Sequence, residues 1–173
     1  MSIRKGLLIL CLLLTFAQMG SIFYMSSKDS DESTVFSSAI SMIIRQFTLR
    51  DFNDLEKEEK ESLVSEIDPS IREIAHLMEY LILGFLITAD AFLITGLCGK
   101  RGIRIRLIAF LVAVLYALSD EIHQIFVPGR AFEWTDLLVD SLGALIGCAL
   151  GYKCILSADR LHIKRISKGD RKC

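Results

Sequence analysis

The run Ser119-Asp120-Glu121-Ile122-His123-Gln124-Ile125-Phe126-Val127-Pro128-Gly129-Arg130 carries the densest chemistry in the chain. It holds two adjacent carboxylates, an imidazole, a carboxamide, a Pro-Gly turn and a guanidinium. Apolar stretches flank it, roughly 105–118 and 137–150. Ionisable groups at membrane depth are costly and mark functional sites by default. Two further stretches carry matching residue types. Arg72, His76, Glu79 and Tyr80 fall at i, i+4, i+7 and i+8, which is one helical face. Asp136 and Asp140 open another apolar stretch, and their face continues through Gly143, Gly147 and Gly151.

Tyr116, Asp120, His123 and Gln124 repeat the i, i+4, i+7, i+8 spacing, so they are expected to face inward together. Glu121 is rotated off that face by about 100° and is expected to meet a different neighbour. Histidine and carboxylate side by side suit general acid–base work, since a carboxylate fixes the imidazole tautomer. The candidate catalytic residues are therefore His76, Glu79, Asp120, His123, Asp136 and Asp140. Arg72, Tyr80, Glu121, Gln124 and Arg130 are the candidate substrate-binding residues, and the two arginines suit an anionic group such as phosphate or carboxylate. No serine or cysteine nucleophile stands with them, so an activated water is the expected attacker. His76, His123, Asp120 and Asp136 offer nitrogen and oxygen ligands, but their spacing carries no metal signature. Metal and cofactor both stay open. A buried ion-pair network that only fixes the bundle is the competing reading.

These residues need helices to hold them. Of the 173 residues, 52 % are hydrophobic, which points to an all-α polytopic membrane protein. A span needs about 20 residues of helix. Four stretches qualify: about 6–25, 71–97, 103–123 and 135–152. A cleaved leader shares the basic start at Arg4-Lys5, but no small-x-small site follows the apolar run. Residues 26–70 form a polar loop with two helical patterns. The first, about 34–49, is amphipathic and lies on the membrane surface or caps the bundle. Its apolar positions are Val35, Phe36, Ala39, Ile40, Ile43 and Phe47. The second, about 53–66, is a solvated helix with i,i+4 pairs such as Glu56 with Lys60. Asp68-Pro69 is expected to end it and Pro69 to open the second span. The glycine series is a small-xxx-small packing face. Asp90 lies on nearly the same face as His76, about 20 Å deeper at 1.5 Å per residue, and stays outside the site.

Charge bias sets the expected orientation. Lys100, Arg101, Arg104 and Arg106 crowd the short link between the second and third spans, and both termini are basic. The 26–70 loop is acidic. Both termini are thus expected in the cytoplasm, with the loops at 26–70 and 124–135 outside. Phe126, Phe132 and Trp134 would form an aromatic belt at the outer surface. The tail 153–173 reads as a basic helix on an anionic inner leaflet. The net charge of −1 averages these unequal segments, and no basic, aromatic-interleaved patch elsewhere suggests nucleic acid. The cysteines (Cys11, Cys98, Cys148, Cys154 and Cys173) show no metal spacing with histidine and read as apolar filler.

Three blocks resemble the VanZ-like family of bacterial membrane proteins. They are Ile22-Phe23-Tyr24-Met25-Ser26-Ser27, Arg72-Glu73-Ile74-Ala75-His76 with Glu79-Tyr80, and Asp120-Glu121-x-His123-Gln124-x-Phe126-x-Pro128-Gly129-Arg130 followed by Asp136, Asp140 and Gly143. The last block is highly specific and the first is weak. Where a tryptophan is expected before Ile22-Phe23, this chain has none. The resemblance implies one multi-pass domain over residues 1–173, in the cell membrane. It also implies a link to teicoplanin, a lipid-bearing glycopeptide. The expected partners are the lipid bilayer and an anionic lipid or lipid-linked envelope precursor, which the protein binds or modifies. A non-enzymatic protein that obstructs lipoglycopeptide access and a small transporter are the alternatives.

Overall fold

The computed structural model describes residues 3–95 and 100–169. It is all-helical, with no strand among the described residues. The helices are α1 (Ile3–Ser26), α2 (Ser30–Thr48), α3 (Lys57–Thr95), α4 (Lys100–Gln124) and α5 (Trp134–Gly169), with a 3-10 turn at Phe52–Asp54 before α3. Within them, Arg4–Ser26, Lys57–Thr95, Gly102–Gln124 and Trp134–Ser157 are long and apolar enough to cross a membrane. Large apolar side chains stand exposed on their outer faces, for example Leu13, Phe16, Leu107, Leu111, Leu138 and Leu145. In water such a surface would drive association; in lipid it is the solvated surface. The chain is a multi-pass membrane protein.

Small residues let these helices approach. A methyl group built on Gly143 would meet the Leu77 carbonyl, and one on Gly147 the Leu81 carbonyl. On the facing helix, a methyl on Gly84 would lie 2.5 Å from the Ala144 carbonyl oxygen. The glycine series therefore packs α5 onto α3, backbone against backbone, as small-residue faces do in membranes. On α4 the same part falls to Ala109, Ala113 and Ala117, each at most 1 % exposed. Ile22, Tyr80, Leu83, Ala113, Ala117 and Ala144 form the central core, flanked by Met19, Ile87, Phe110, Tyr116 and Leu137.

The structure corrects several expectations. Pro69 does not separate two helices. α3 runs unbroken from Lys57 to Thr95 with Pro69 inside it. A proline there removes one helical hydrogen bond, but a tertiary contact at its neighbour holds the segment helical. Asp68 accepts hydrogen bonds from the hydroxyls of Ser37 (3.0 Å), Ser38 (3.3 Å) and Ser41 (3.2 Å) on α2. The same contact sets how α2 sits. Its serine face is buried, with Ser41 fully so, while Val35, Met42, Ile43 and Phe47 point away from the bundle. Of the apolar positions read from the sequence, Val35, Ala39, Ile43 and Phe47 are exposed and Ile40 is half-buried, which agrees with a helix lying on the membrane surface. The Glu56–Lys60 pair also gives way. The Lys60 ammonium donates to the Asn53 carbonyl at 2.8 Å, and Lys57 pairs with Glu61 at 3.6 Å. α5 does not fade near Tyr152 but continues as one helix to Gly169. The link expected at 98–102 lies partly outside the described residues; α4 has begun by Lys100.

The Asp68 contact is testable. Asp68→Ala leaves buried Ser41 without its acceptor, a loss of about 1–3 kcal/mol. Limited proteolysis between residues 49 and 56 should speed up by roughly tenfold at 1.4 kcal/mol, while Asp68→Asn, which still accepts, should change it less.

Candidate functional site

The ends of the spans that carry the ionisable residues meet at one end of the bundle. A cavity of about 60 Å³ opens there. α1 lines it with Ile22, Met25 and Ser26, and α2 with Ser37 and Ile40. α3 supplies Ile71, Arg72, Ala75, His76 and Glu79; Asp120 of α4 and Arg130 of the α4–α5 loop complete it. At roughly 10–15 Å³ per water, the space takes about four to six water molecules. A small head-group fragment is of that order and a sugar ring is not.

Each polar side chain has a local reason for its place. Asp140 is fully buried, and the His76 Nδ1 lies 3.4 Å from its Oδ1. That separation permits charge attraction, but the two are not aligned as a hydrogen bond. With Nδ1 turned to Asp140, the other ring nitrogen is the one left to act on the cavity. Asp136, one turn earlier on α5, is 7 % exposed. Tyr80 is fully buried beneath the cavity. Its ring lies 6.3 Å from that of Tyr116, whose hydroxyl donates to the Met19 carbonyl at 2.7 Å. The Gln18 carboxamide donates to the Glu79 carbonyl at 3.2 Å, tying α1 to α3 beside the site.

Glu121 does meet a different neighbour. It is fully buried and accepts the Glu133 backbone N–H at 2.9 Å. Glu133 immediately precedes α5, and its carbonyl accepts the Leu137 N–H at 3.3 Å, the first turn of that helix. Glu121 therefore anchors the start of α5, where an anion also suits the helix dipole. Gln124 faces inward with Asp120. Its nitrogen lies 3.4 Å from Asp120 Oδ2, and its oxygen accepts from Arg130 Nη1 at 3.5 Å. Gly129 has φ 73°, a left-handed conformation that suits glycine, and the turn brings Arg130 back over the cavity. Burial and the Arg72 guanidinium pull the Arg130 pKa below its ordinary value, while Asp136, Asp120 and Glu121 oppose the change.

His123 stays near enough to Asp120 to act on its charge, but its direct contacts are with the end of α1. Its Nε2 lies 3.2 Å from the Ser27 hydroxyl, and its ring stacks on Phe23 at 4.6 Å. It joins α4 to the end of α1 and is absent from the cavity lining. The helical wheel missed this because Ser27 and Phe23 belong to a different element. The cavity also contains residues that sequence reasoning did not assign to it, chiefly Ser26 and Ser37. Ser26 belongs to the weak resemblance block at the end of the first span; nothing in the sequence marked Ser37. Asp90 keeps its distance from the site and accepts the Thr15 hydroxyl at 2.6 Å.

Several buried polar atoms at this end make no aligned hydrogen bond: both Asp140 oxygens, Asp120 Oδ1, Glu121 Oε1, Tyr80 OH, Ser26 Oγ and Arg130 Nε. Such atoms are rare in folded proteins and mark places completed by a proton, solvent or a ligand. Among the described residues, no group of three or more His, Cys, Asp or Glu side chains is placed to hold a metal ion.

Fold and site together define a small four-span membrane protein with an acid-, histidine- and arginine-lined cavity at one end. The sequence profile of the VanZ/LLP1 family matches residues 8–156, which reaches into all four spans and takes in every residue of the cavity. The chain belongs to that family. No curated protein and no solved structure matches it.

Proposed function

We propose that this chain is a single membrane domain working at the outer face of the bacterial cytoplasmic membrane. There it binds or modifies the anionic head group of an envelope lipid or lipid-linked precursor. The observation that carries the reading is the pair of half-buried guanidiniums, Arg72 and Arg130, on one small cavity walled by Ile22, Met25, Ile40, Ile71 and Ala75. Phosphate recognition by arginine needs that charge, and a lipid's glycerol and acyl region suits that wall. The lysine and arginine bias of the loops supports the outer placement. In an enzymatic form, His76, held from behind by Asp140, activates a water against the bound head group, while Glu79 and Asp120 handle protons. Tyr80, Glu121, Gln124 and Asp136 shape and brace the cavity, and His123 fixes α4 to α1. The family resemblance supports one consequence, a lowered susceptibility to lipoglycopeptides such as teicoplanin, reached through the lipid. The transporter reading is weaker, because a core of Leu83, Ala113, Ala117 and Ala144 lies between the cavity and Asp90.

The test compares Arg72→Ala/Arg130→Ala with the wild-type chain at equal membrane abundance, reading the envelope-lipid and cell-wall precursor profile and teicoplanin susceptibility. The double variant should behave like a deletion. Wild-type behaviour from it sinks the head-group reading. Labelling a cysteine placed at exposed Ala131 with an impermeant reagent in the same cells should succeed from outside; protection of that cysteine moves the cavity to the cytoplasmic face.

A further inference from the structure

The cavity presents opposite charges that the protein does not pair with each other. Arg72 and Arg130 line it, and so do Glu79 and Asp120. Neither arginine of the cavity reaches a carboxylate at ion-pair distance among the described residues. A neutral group stands between the two charges. Arg130 reaches the Gln124 oxygen at 3.5 Å, and the Gln124 nitrogen lies 3.4 Å from Asp120 Oδ2. Asp120 is 3 % exposed; the Ser26 hydroxyl stands near its carboxylate, but neither that hydroxyl nor Asp120 Oδ1 makes an aligned hydrogen bond. Arg130 Nε is in the same condition. Buried charges are normally paired, because an uncompensated one is costly. Here a cationic end and an anionic end share one small space, and a single molecule with both charges would pair both.

We propose that the cavity takes a zwitterionic phospholipid head group: a phosphodiester bearing a primary ammonium on a short arm. This rests on the head-group reading above and narrows it. The phosphate sits on Arg72 and Arg130, as a guanidinium's fork geometry favours. The ammonium donates to Asp120 Oδ1 and to Glu79. Two other head-group classes fit worse. A phosphoglycerol head offers the two carboxylates hydroxyl donors but no positive charge. A trimethylammonium head cannot donate hydrogen bonds, and such cations are held by aromatic rings. Among the described residues, the lining of this cavity contains no Phe, Tyr or Trp.

The experiment uses the full chain in nanodiscs. Each disc carries a neutral bulk lipid with a small fraction of phosphatidylethanolamine, phosphatidylglycerol or phosphatidylcholine of identical acyl chains. Lipid co-released with the protein is counted by native mass spectrometry. The wild type should retain the ethanolamine lipid about tenfold more than either of the others, the scale of one added charge-assisted contact. Asp120→Asn should bring ethanolamine and glycerol lipids to equal retention without abolishing either. Glu79→Gln tests the second carboxylate should the first variant misfold, as judged by its thermal unfolding. Arg72→Ala/Arg130→Ala should lose all three. Equal or greater retention of the glycerol lipid by the wild type overturns the zwitterion and leaves an anionic head group standing. An ethanolamine preference that survives both carboxylate variants also overturns it. No retention above bulk for any lipid removes the zwitterion and the head-group reading together.

Discussion

Gly147→Val breaks the bundle. A methyl group at position 147 already meets the Leu81 carbonyl and would lie 2.9 Å from the Phe85 nitrogen, so the obstacle is the α3 backbone over a full turn. A flexible side chain can swing away; α3 backbone can move only if the helix moves. Overpacking a core with side chains typically costs about 1–3 kcal/mol, occasionally more. Here the displaced element is α3, which also carries Arg72, His76 and Glu79. We expect a loss of roughly 3 kcal/mol or more, read as a collapse of the thermal unfolding transition in detergent. The control is Gly20→Val. A methyl there meets nothing within 4 Å, so it should be close to neutral. Helices in lipid associate through close packing and not through expulsion of water, so hydrophobic area gained by the valine does not offset the clash. A Gly147→Val protein with wild-type stability would show that the α3–α5 contact is not what holds the site together.

That contact was legible in the sequence, because glycines at four-residue intervals on an acid-bearing face have few other uses. The face Arg72–His76–Glu79–Tyr80 was legible for the same reason: helical geometry alone fixes which residues share a side. What the sequence left hidden is what depends on a partner element. His123 has the spacing of Asp120 and Gln124 and stays within electrostatic range of Asp120, but its stacking on Phe23 and contact with Ser27 on the α1 side could not be read from that spacing. Glu121 looked off-face and is fully buried, because the Glu133 N–H at the start of α5 needs an acceptor. Pro69 looked like a boundary, and local preference does argue for one. Three serine hydroxyls converging on Asp68 outweigh it. Ser37 and Ile40 enter the cavity only because α2 turns its serine face inward, which an amphipathic stripe by itself would not suggest. The periodicity within an element was readable; the rotation of one element against another was not.

The second large effect is a coupling between His76 and Asp140. Asp140 is fully buried, and apart from the imidazole 3.4 Å away no side chain pairs with it among the described residues. Removing one member of a buried charged pair typically costs about 3–5 kcal/mol, mostly because the other is left uncompensated. His76→Leu should therefore destabilise the bundle by about that amount. Asp140→Leu should cost less, since the imidazole can stay neutral and lies on a cavity wall. The double variant His76→Leu/Asp140→Leu should be more stable than His76→Leu alone, because it removes the stranded carboxylate and leaves apolar side chains in an apolar bundle. Activity should follow the opposite course: if His76 is the base, the double variant recovers stability while the envelope phenotype stays lost. Measuring both quantities on the four proteins of the cycle separates the two roles. Simple additivity of the stability losses would show that the pair is not coupled. Recovery of the phenotype along with stability would reduce His76 and Asp140 to a structural pair and place the chemistry, or the binding, on Arg72, Arg130, Glu79 and Asp120 alone.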